Sequence, residues 1–552
     1  MIDDSSQPPE AGEKLKLTRR GMLYAGAAIG AATAAAATNA SAAVADNGHP
    51  VFGNPGERKA AAHNLRVLAS QSHLSSGTTQ PQTNGDEGKY GDYRASFSKA
   101  LPHNNLGEVD PVAYGKLLYA LETASPAAFE SIPLGGSARL ANPQAAYRYE
   151  LTGVDGNGAR IRPAPAFASA ETAAEMAEVY WNALCRDVPF AAYGSSALVA
   201  AAVADLNAFT HKVGGSVSLG NIFRGETPGD LAGPYISQFL WKDIPYGGNT
   251  TIVQRYGRPT GGDYMTSYNE WLAVQRGQGG GATPKAGAYY IYDGRTLGEW
   301  VHADFPVQAF LNAALILLGV PNASDLGSPY RSYAKQGSFI TFGAADILDL
   351  VSKAGNLALT GAWYHKWLVN RRQRPEVTGG RVHNTKTGAK TYDLHSDLLN
   401  SDAAARVFAA NGTYLLPMAF AEGSPTHPAY PAGHACIAGA CTTVLKAFFN
   451  EDALVPNPVV ATPDGASLAP YGGALTIGGE LNKLANNIAL GRDWAGVHYR
   501  SEGIEGINCG EIQAIGLLKD YSRTYNESFA GFTLTRFNGQ KIRISNGVAT
   551  AI

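Results

Sequence analysis

Residues 427–449 read His-Pro-Ala-Tyr-Pro-Ala-Gly-His-Ala-Cys-Ile-Ala-Gly-Ala-Cys-Thr-Thr-Val-Leu-Lys-Ala-Phe-Phe, and the rest of the chain is read outward from them. Residues 435–449 have the composition of a helix, with no carboxylate among them. His434 therefore falls at or just before a helix N-terminus, where free N–H groups and the positive end of the dipole make an anion site. Gly433 stands where backbone must come close to a ligand. The ligand to expect is a negatively charged oxyanion.

Two further segments supply charge. Residues 363–376, Trp-Tyr-His-Lys-Trp-Leu-Val-Asn-Arg-Arg-Gln-Arg-Pro-Glu, form a cation-rich run that Pro375 should stop as a helix. Lys366 and Arg374 are separated by about 80° around such a helix, so both can lean towards one ligand while Arg371 and Arg372 serve other faces. Residues 489–502 carry Arg492 and His498 just ahead of an expected helix over 502–523. Lys366, Arg374, Gly433, His434, Arg492 and His498 together suit a tetrahedral or trigonal-bipyramidal oxyanion. Arginine offers a planar fork of donors and lysine a point charge. One imidazole can bond the central atom while the other moves protons near neutral pH. Taken alone, the cation run reads equally as a solvated helix face, Trp363 as core and His427 as a turn residue between prolines. Three ordered segments favour a site.

The order Lys366, Arg374-Pro375, Pro431-Ala432-Gly433-His434, Arg492, His498 resembles the vanadium-dependent haloperoxidases and their relatives, the type 2 phosphatidic-acid-phosphatase-like acid phosphatases. Within that group it looks like the algal bromoperoxidase branch and its bacterial relatives. The Lys366–Arg374 interval is one residue longer than in the phosphatases, and Gly-Ser-Pro-Thr-His-Pro-Ala-Tyr-Pro precedes Ala432. Weaker likeness extends to Leu-Pro-His-Asn at 101–104 and His-Ala-Asp-Phe-Pro at 302–306. The resemblance implies a vanadate cofactor bonded to His498, with His434 as acid–base group on the opposite side. It implies that Lys366, Arg374, Arg492 and the Gly433 amide hold the equatorial oxygens and that Lys366 polarises bound oxidant. Trp363 and His427 fall where the family places residues tied to halide selectivity, in a combination that points to bromide or iodide rather than chloride. By spacing, Asp304 corresponds to an acidic residue that supports His434. The implied partners are hydrogen peroxide, halide and a small organic acceptor halogenated by hypohalous acid.

One position departs from the family: Ala432 replaces a serine, removing a hydrogen bond to a charged group worth about 1.5–3 kcal/mol. The competing reading is an acid phosphatase in which His498 attacks phosphorus and His434 protonates the leaving group. There, Glu502 stands where the phosphatase signature has Asp. A non-redox relative of the same fold, or an exported binding protein that keeps an oxyanion pocket without turnover, are further alternatives.

The amino terminus bears on compartment. Thr18-Arg-Arg-Gly-Met-Leu23 followed by an Ala/Gly-rich apolar run reads as a twin-arginine export signal over residues 1–45, giving a periplasmic or secreted protein with no membrane insertion after its removal. The 552 residues carry a formal charge of −2, so nothing points to nucleic acid or an acidic membrane surface. The expected fold is all-α: two helical bundles with small peripheral β-hairpins. Residues 46–330 form the first mainly helical region, 331–530 the bundle carrying the site, and 531–552 a β-hairpin tail around Asn538-Gly539. Helices are expected over 57–70, 111–123, 170–184, 195–209, 305–318, 344–353, 355–372 and 401–410, and a surface loop over 256–285. The four cysteines make no disulfide scaffold; buried thiols are the default, with Cys509 the residue to look to for a bridge. Structural calcium is not assignable to any residue, and a homo-oligomer is left open.

Overall fold

In the computed structural model, residues 54–77, 80–212 and 214–552 are described. The export signal expected over 1–45 lies outside them. The chain divides into an amino-terminal unit, residues 1–64, and a second unit, Leu65–Ile552. Of the first, residues 54–64 are described and are helical from Pro55.

The second unit is mostly helical, and six of its helices position the site. They are α1 (Gly294–Ala303), α2 (Ala344–Tyr364), α3 (Pro375–Lys386), α4 (Gly433–Phe448), α5 (Ile477–Trp494) and α6 (Arg500–Tyr521). Around them, helices Pro111–Thr123, Ala170–Cys185, Ala197–Ala208, Gln308–Leu318 and Asp402–Asn411 follow the sequence expectation closely. Every residue of α4 except His434 is buried, which makes it the central helix. It packs most extensively on α6, and glycine permits the approach: a methyl group on Gly510 would overlap the Cys436 carbonyl, and one on Gly439 would overlap that of Ile507. Among the described residues, strands form four small antiparallel sheets. The carboxy-terminal one pairs Phe532 with Ile544 across a turn at Gly539 and adds a third strand, Val548–Ala551. No single helix among the described residues is long and apolar enough to cross a membrane. All four cysteines are free and buried.

Several expectations fail for physical reasons. The helices expected over 344–353 and 355–372 are one, because Gly355 packs tightly against Val307 and the Cys441 thiol instead of interrupting α2. That helix widens into a π-helical turn, His365–Asn370, and ends where Arg371 takes a left-handed conformation at φ 36°. Pro375 starts α3 at its first turn rather than stopping a helix, and Arg374 is the N-cap residue. Lys366 and Arg374 thus do not share a helix face. The segment 256–285 is a loop only in part. Ser267 caps a helix, Tyr268–Gln275, whose Trp271 is fully buried, and Tyr256–Pro259 pairs with Lys285–Tyr289. Helix α5 was not foreseen, because its buried face includes Glu480, Asn482, Lys483 and Asn487. They are satisfied internally, Lys483 by Glu480 at 2.6 Å and Asn487 by the Tyr235 carbonyl at 3.1 Å.

Candidate active site

Lys366 enters from the π-helical turn, fully buried. Its ammonium donates to the carbonyls of Pro428 at 2.7 Å and Ala429 at 2.8 Å, and no carboxylate among the described residues is bonded to it. Burial and the neighbouring Arg374 push its pKa well below the ordinary lysine range, against the pull of Glu502. Arg374 reaches the same place from the α3 N-cap. Its Nη1 donates to the Val497 carbonyl at 2.8 Å and lies 3.0 Å from His498 Nε2, while Nη2 lies 3.0 Å from His427 Nδ1. The turn at Arg371 thus does what helical spacing was expected to do. Arg492, in the last turn of α5, donates through Nη1 to the Val301 carbonyl at 2.6 Å, and its buried Nε has no hydrogen-bond partner among the described residues. Burial holds Arg374 and Arg492 down at about 10.

His498 lies just before the α6 N-cap, 2% exposed. Its Nδ1 is 2.5 Å from Glu502 Oε2, the carboxylate one helical turn on. An Nδ1–H donated to that carboxylate leaves the Nε2 lone pair facing the cations. Burial first, then Arg374, Lys366 and Arg492, keep this imidazole neutral. Arg372 donates to Glu502 Oε1 at 3.2 Å and to Glu175 at 3.1 Å, so the supporting carboxylate is itself anchored.

His434 occupies the first turn of α4, with Nε2 3.0 Å from Asp304 Oδ1. Its side chain is 26% exposed, making it the open side of the site. Burial and Arg492 lower its pKa, against the Asp304 bond. The His427 ring sits 4.8 Å from that of Trp363, whose indole N–H donates to the Ala141 carbonyl at 3.2 Å. Gly433 has helical backbone, and a Cβ there would make only ordinary contacts with Trp363 and Leu359. Neither conformation nor neighbouring protein requires glycine here. Ala432 is the α4 N-cap, fully buried and without a capping side chain.

All nine residues singled out from the sequence therefore converge here: Asp304, Trp363, Lys366, Arg374, His427, Gly433, His434, Arg492 and His498. His365 and His383 lie elsewhere, bonded to the Ala159 carbonyl and packed near Tyr268. Sequence reasoning undervalued Glu502 and sent Arg372 to another face. The i, i+4 spacing from His498 to Glu502 was the available signal.

The chain has relatives among known proteins. Residues 350–526 match the family model described as the VCPO second helical-bundle domain. The vanadium-dependent bromoperoxidase of Ascophyllum nodosum is 36% identical over 89% of this chain and 93% of its own length. The chain belongs to the vanadium-dependent haloperoxidases. A second haloperoxidase relative, from Corallina officinalis, is 34% identical over 88% of this chain and 98% of its own. The structure described as the homohexameric second vanadate-dependent bromoperoxidase of Ascophyllum nodosum superposes with a TM-score of 0.86 at 28% identity, covering 93% of this chain and 94% of that one. In this haloperoxidase, the matched helical-bundle segment contains every site residue except Asp304.

Proposed function

We propose that the protein is a vanadate-dependent peroxidase that uses hydrogen peroxide to oxidise halide, bromide or iodide in preference to chloride, and halogenates small organic acceptors. The observation that carries this reading is the His498 Nε2 lone pair held amid Lys366, Arg374 and Arg492, with a buried Arg492 Nε that has no partner among the described residues. Three cations without bonded carboxylates suit an oxyanion, and a neutral imidazole suits its electrophilic centre. When bound, vanadate supplies a Lewis-acidic centre that activates peroxide for oxygen transfer.

The chain's own residues do the rest. Lys366, Arg374, Arg492 and the Gly433 N–H orient the oxyanion and stabilise charge developing on it. Lys366 would set its positive charge against an oxygen of the bound oxyanion, and Glu502 fixes the His498 tautomer. His434, open to solvent and tied to Asp304, accepts the proton released as peroxide enters. His427 Nδ1 lies between Arg374 Nη2 at 3.0 Å and the Pro428 carbonyl at 3.1 Å, which fixes the ring beside the Trp363 face. A half-buried halide subsite there favours weakly hydrated bromide or iodide over chloride, because desolvation costs them less.

The test is an assay of apo-protein with and without vanadate, peroxide and each halide. Vanadate-dependent bromination of a phenolic dye is the expected result; its absence overturns the reading. The close Glu502–His498 pair also fits a histidine nucleophile, so phosphate-ester hydrolysis without vanadate is the second reading. It is separated by assaying the same preparation on an aryl phosphate. The Thr18-Arg-Arg-Gly-Met-Leu23 segment supports export by the twin-arginine route. Likeness to a relative solved as a homohexamer supports self-association, which light scattering of the purified protein measures.

A further inference from the structure

The last turn of α1 touches the site three times, and only one of those contacts was anticipated. Asp304 holds His434, the Val301 carbonyl takes the one hydrogen bond that Arg492 makes among the described residues, and His302 stacks on Phe420 with ring centroids 3.7 Å apart and planes within 13°. The Arg492 guanidinium lies 5.8 Å from the Phe420 ring. Phe420 is 1% exposed, so the ring is fixed by what packs on it. His302 is tied at both nitrogens, Nε2 to Glu422 at 2.7 Å and Nδ1 to Glu299 at 3.4 Å. Both partners are anchored in turn: Lys285 pairs with Glu299, and Lys99 donates to the Glu422 carbonyl at 2.7 Å.

We propose that His302 is a positioning residue for the oxyanion site, clamping Phe420 against Arg492 so that the guanidinium's unpartnered Nε faces the ligand. The proposal rests on the vanadate reading above. Among the described residues Arg492 makes one hydrogen bond, to the Val301 carbonyl, and the Phe420 ring forms a wall beside its guanidinium. A cation beside an aromatic face is attracted to it, and more so when desolvated. The clamp is charged over the neutral range. Burial works against protonation of His302, but the bonds to Glu299 and Glu422 prevail and hold its pKa at about 9. The groups facing it are Glu299 and Glu422 with their partners Lys285 and Lys99, and across Phe420, Arg492.

The experiment is a double-mutant cycle with His302→Gln and Phe420→Leu, read by calorimetric titration of orthovanadate into each apo-protein. Each single variant is expected to weaken vanadate binding by about 10-fold, the usual scale for groups that orient a ligand shell. The double variant is expected to be no weaker than either single one, because both break the same contact. Phe420→Tyr, which keeps the stacked ring, is expected to retain wild-type affinity. Unchanged affinity in His302→Gln, or losses that simply add in the double variant, overturns the proposal. Wild-type protein that binds no vanadate overturns the functional reading instead, which keeps the two failures distinct.

Discussion

Ala432 stands at the α4 N-cap with a methyl group where a hydroxyl would both accept from the first-turn N–H groups and donate to a bound oxygen. Ala432→Ser is expected to raise stability by about 1 kcal/mol through capping. It is also expected to tighten vanadate binding by about 10-fold, the equivalent of one charge-assisted bond. Thermal melting of the apo-protein and vanadate titration measure the two effects separately. Glu502 acts in the other direction. Glu502→Gln keeps an acceptor for His498 Nδ1 but loses the charge that raises ligand basicity, and should weaken vanadate binding by about 10–100-fold. At this scale the sequence was readable wherever a residue sat in a motif, which covers the cations, both histidines of the cage and Gly433. Asp304 was found from spacing, and the structure places it 3.0 Å from His434. His302 and Phe420 carried no motif, since a ring stacked on another ring leaves no pattern along the chain.

The helices show why the path to the site was harder to read than its members. Lys366 lies in a turn closed by a bond from the Arg371 N–H to its own carbonyl at 3.0 Å, a π-type turn that no hydrophobic period announces. The left-handed Arg371 then redirects the chain, so Pro375 begins a helix where the sequence suggested an end. Helix α5 escaped notice because burial of paired polar groups erases the apolar stripe on which periodicity depends. The α4–α6 contact was equally silent, since glycine there signals close approach only once the partner helix is known. Gly510→Ala tests that contact directly. The added methyl meets the Cys436 carbonyl, and overpacking of this kind should cost about 1–3 kcal/mol, read as a lower urea midpoint.

The whole molecule carries histidines that oppose each other in pH. His103 is buried, bonded to the Leu101 carbonyl at 2.7 Å and to Ser98 at 3.0 Å, and burial holds its pKa down at about 3. Burial likewise holds His365 at about 4. Both are neutral when folded but protonate near 6.5 when unfolded. Their contribution is therefore complete above 6.5 and is lost as pH falls towards those values, by about 1.4 kcal/mol per pH unit each. His302 has the reverse sign: raised to about 9, it contributes fully below 6.5 and loses that contribution as pH rises through 9. His302→Gln should flatten the fall in denaturation midpoint between about pH 6.5 and 9, measured against wild type. The cage adds a ligand effect, since orthovanadate at about 100 times its Kd should stabilise the fold by about 2.7 kcal/mol. Its charge also governs what else the imidazole accepts. With the Arg374 guanidinium 3.0 Å from His498 Nε2, zinc or copper approaching that nitrogen meets fixed positive charge at the point of coordination. Transition-metal cations are repelled electrostatically, which keeps the His498 imidazole for an anion.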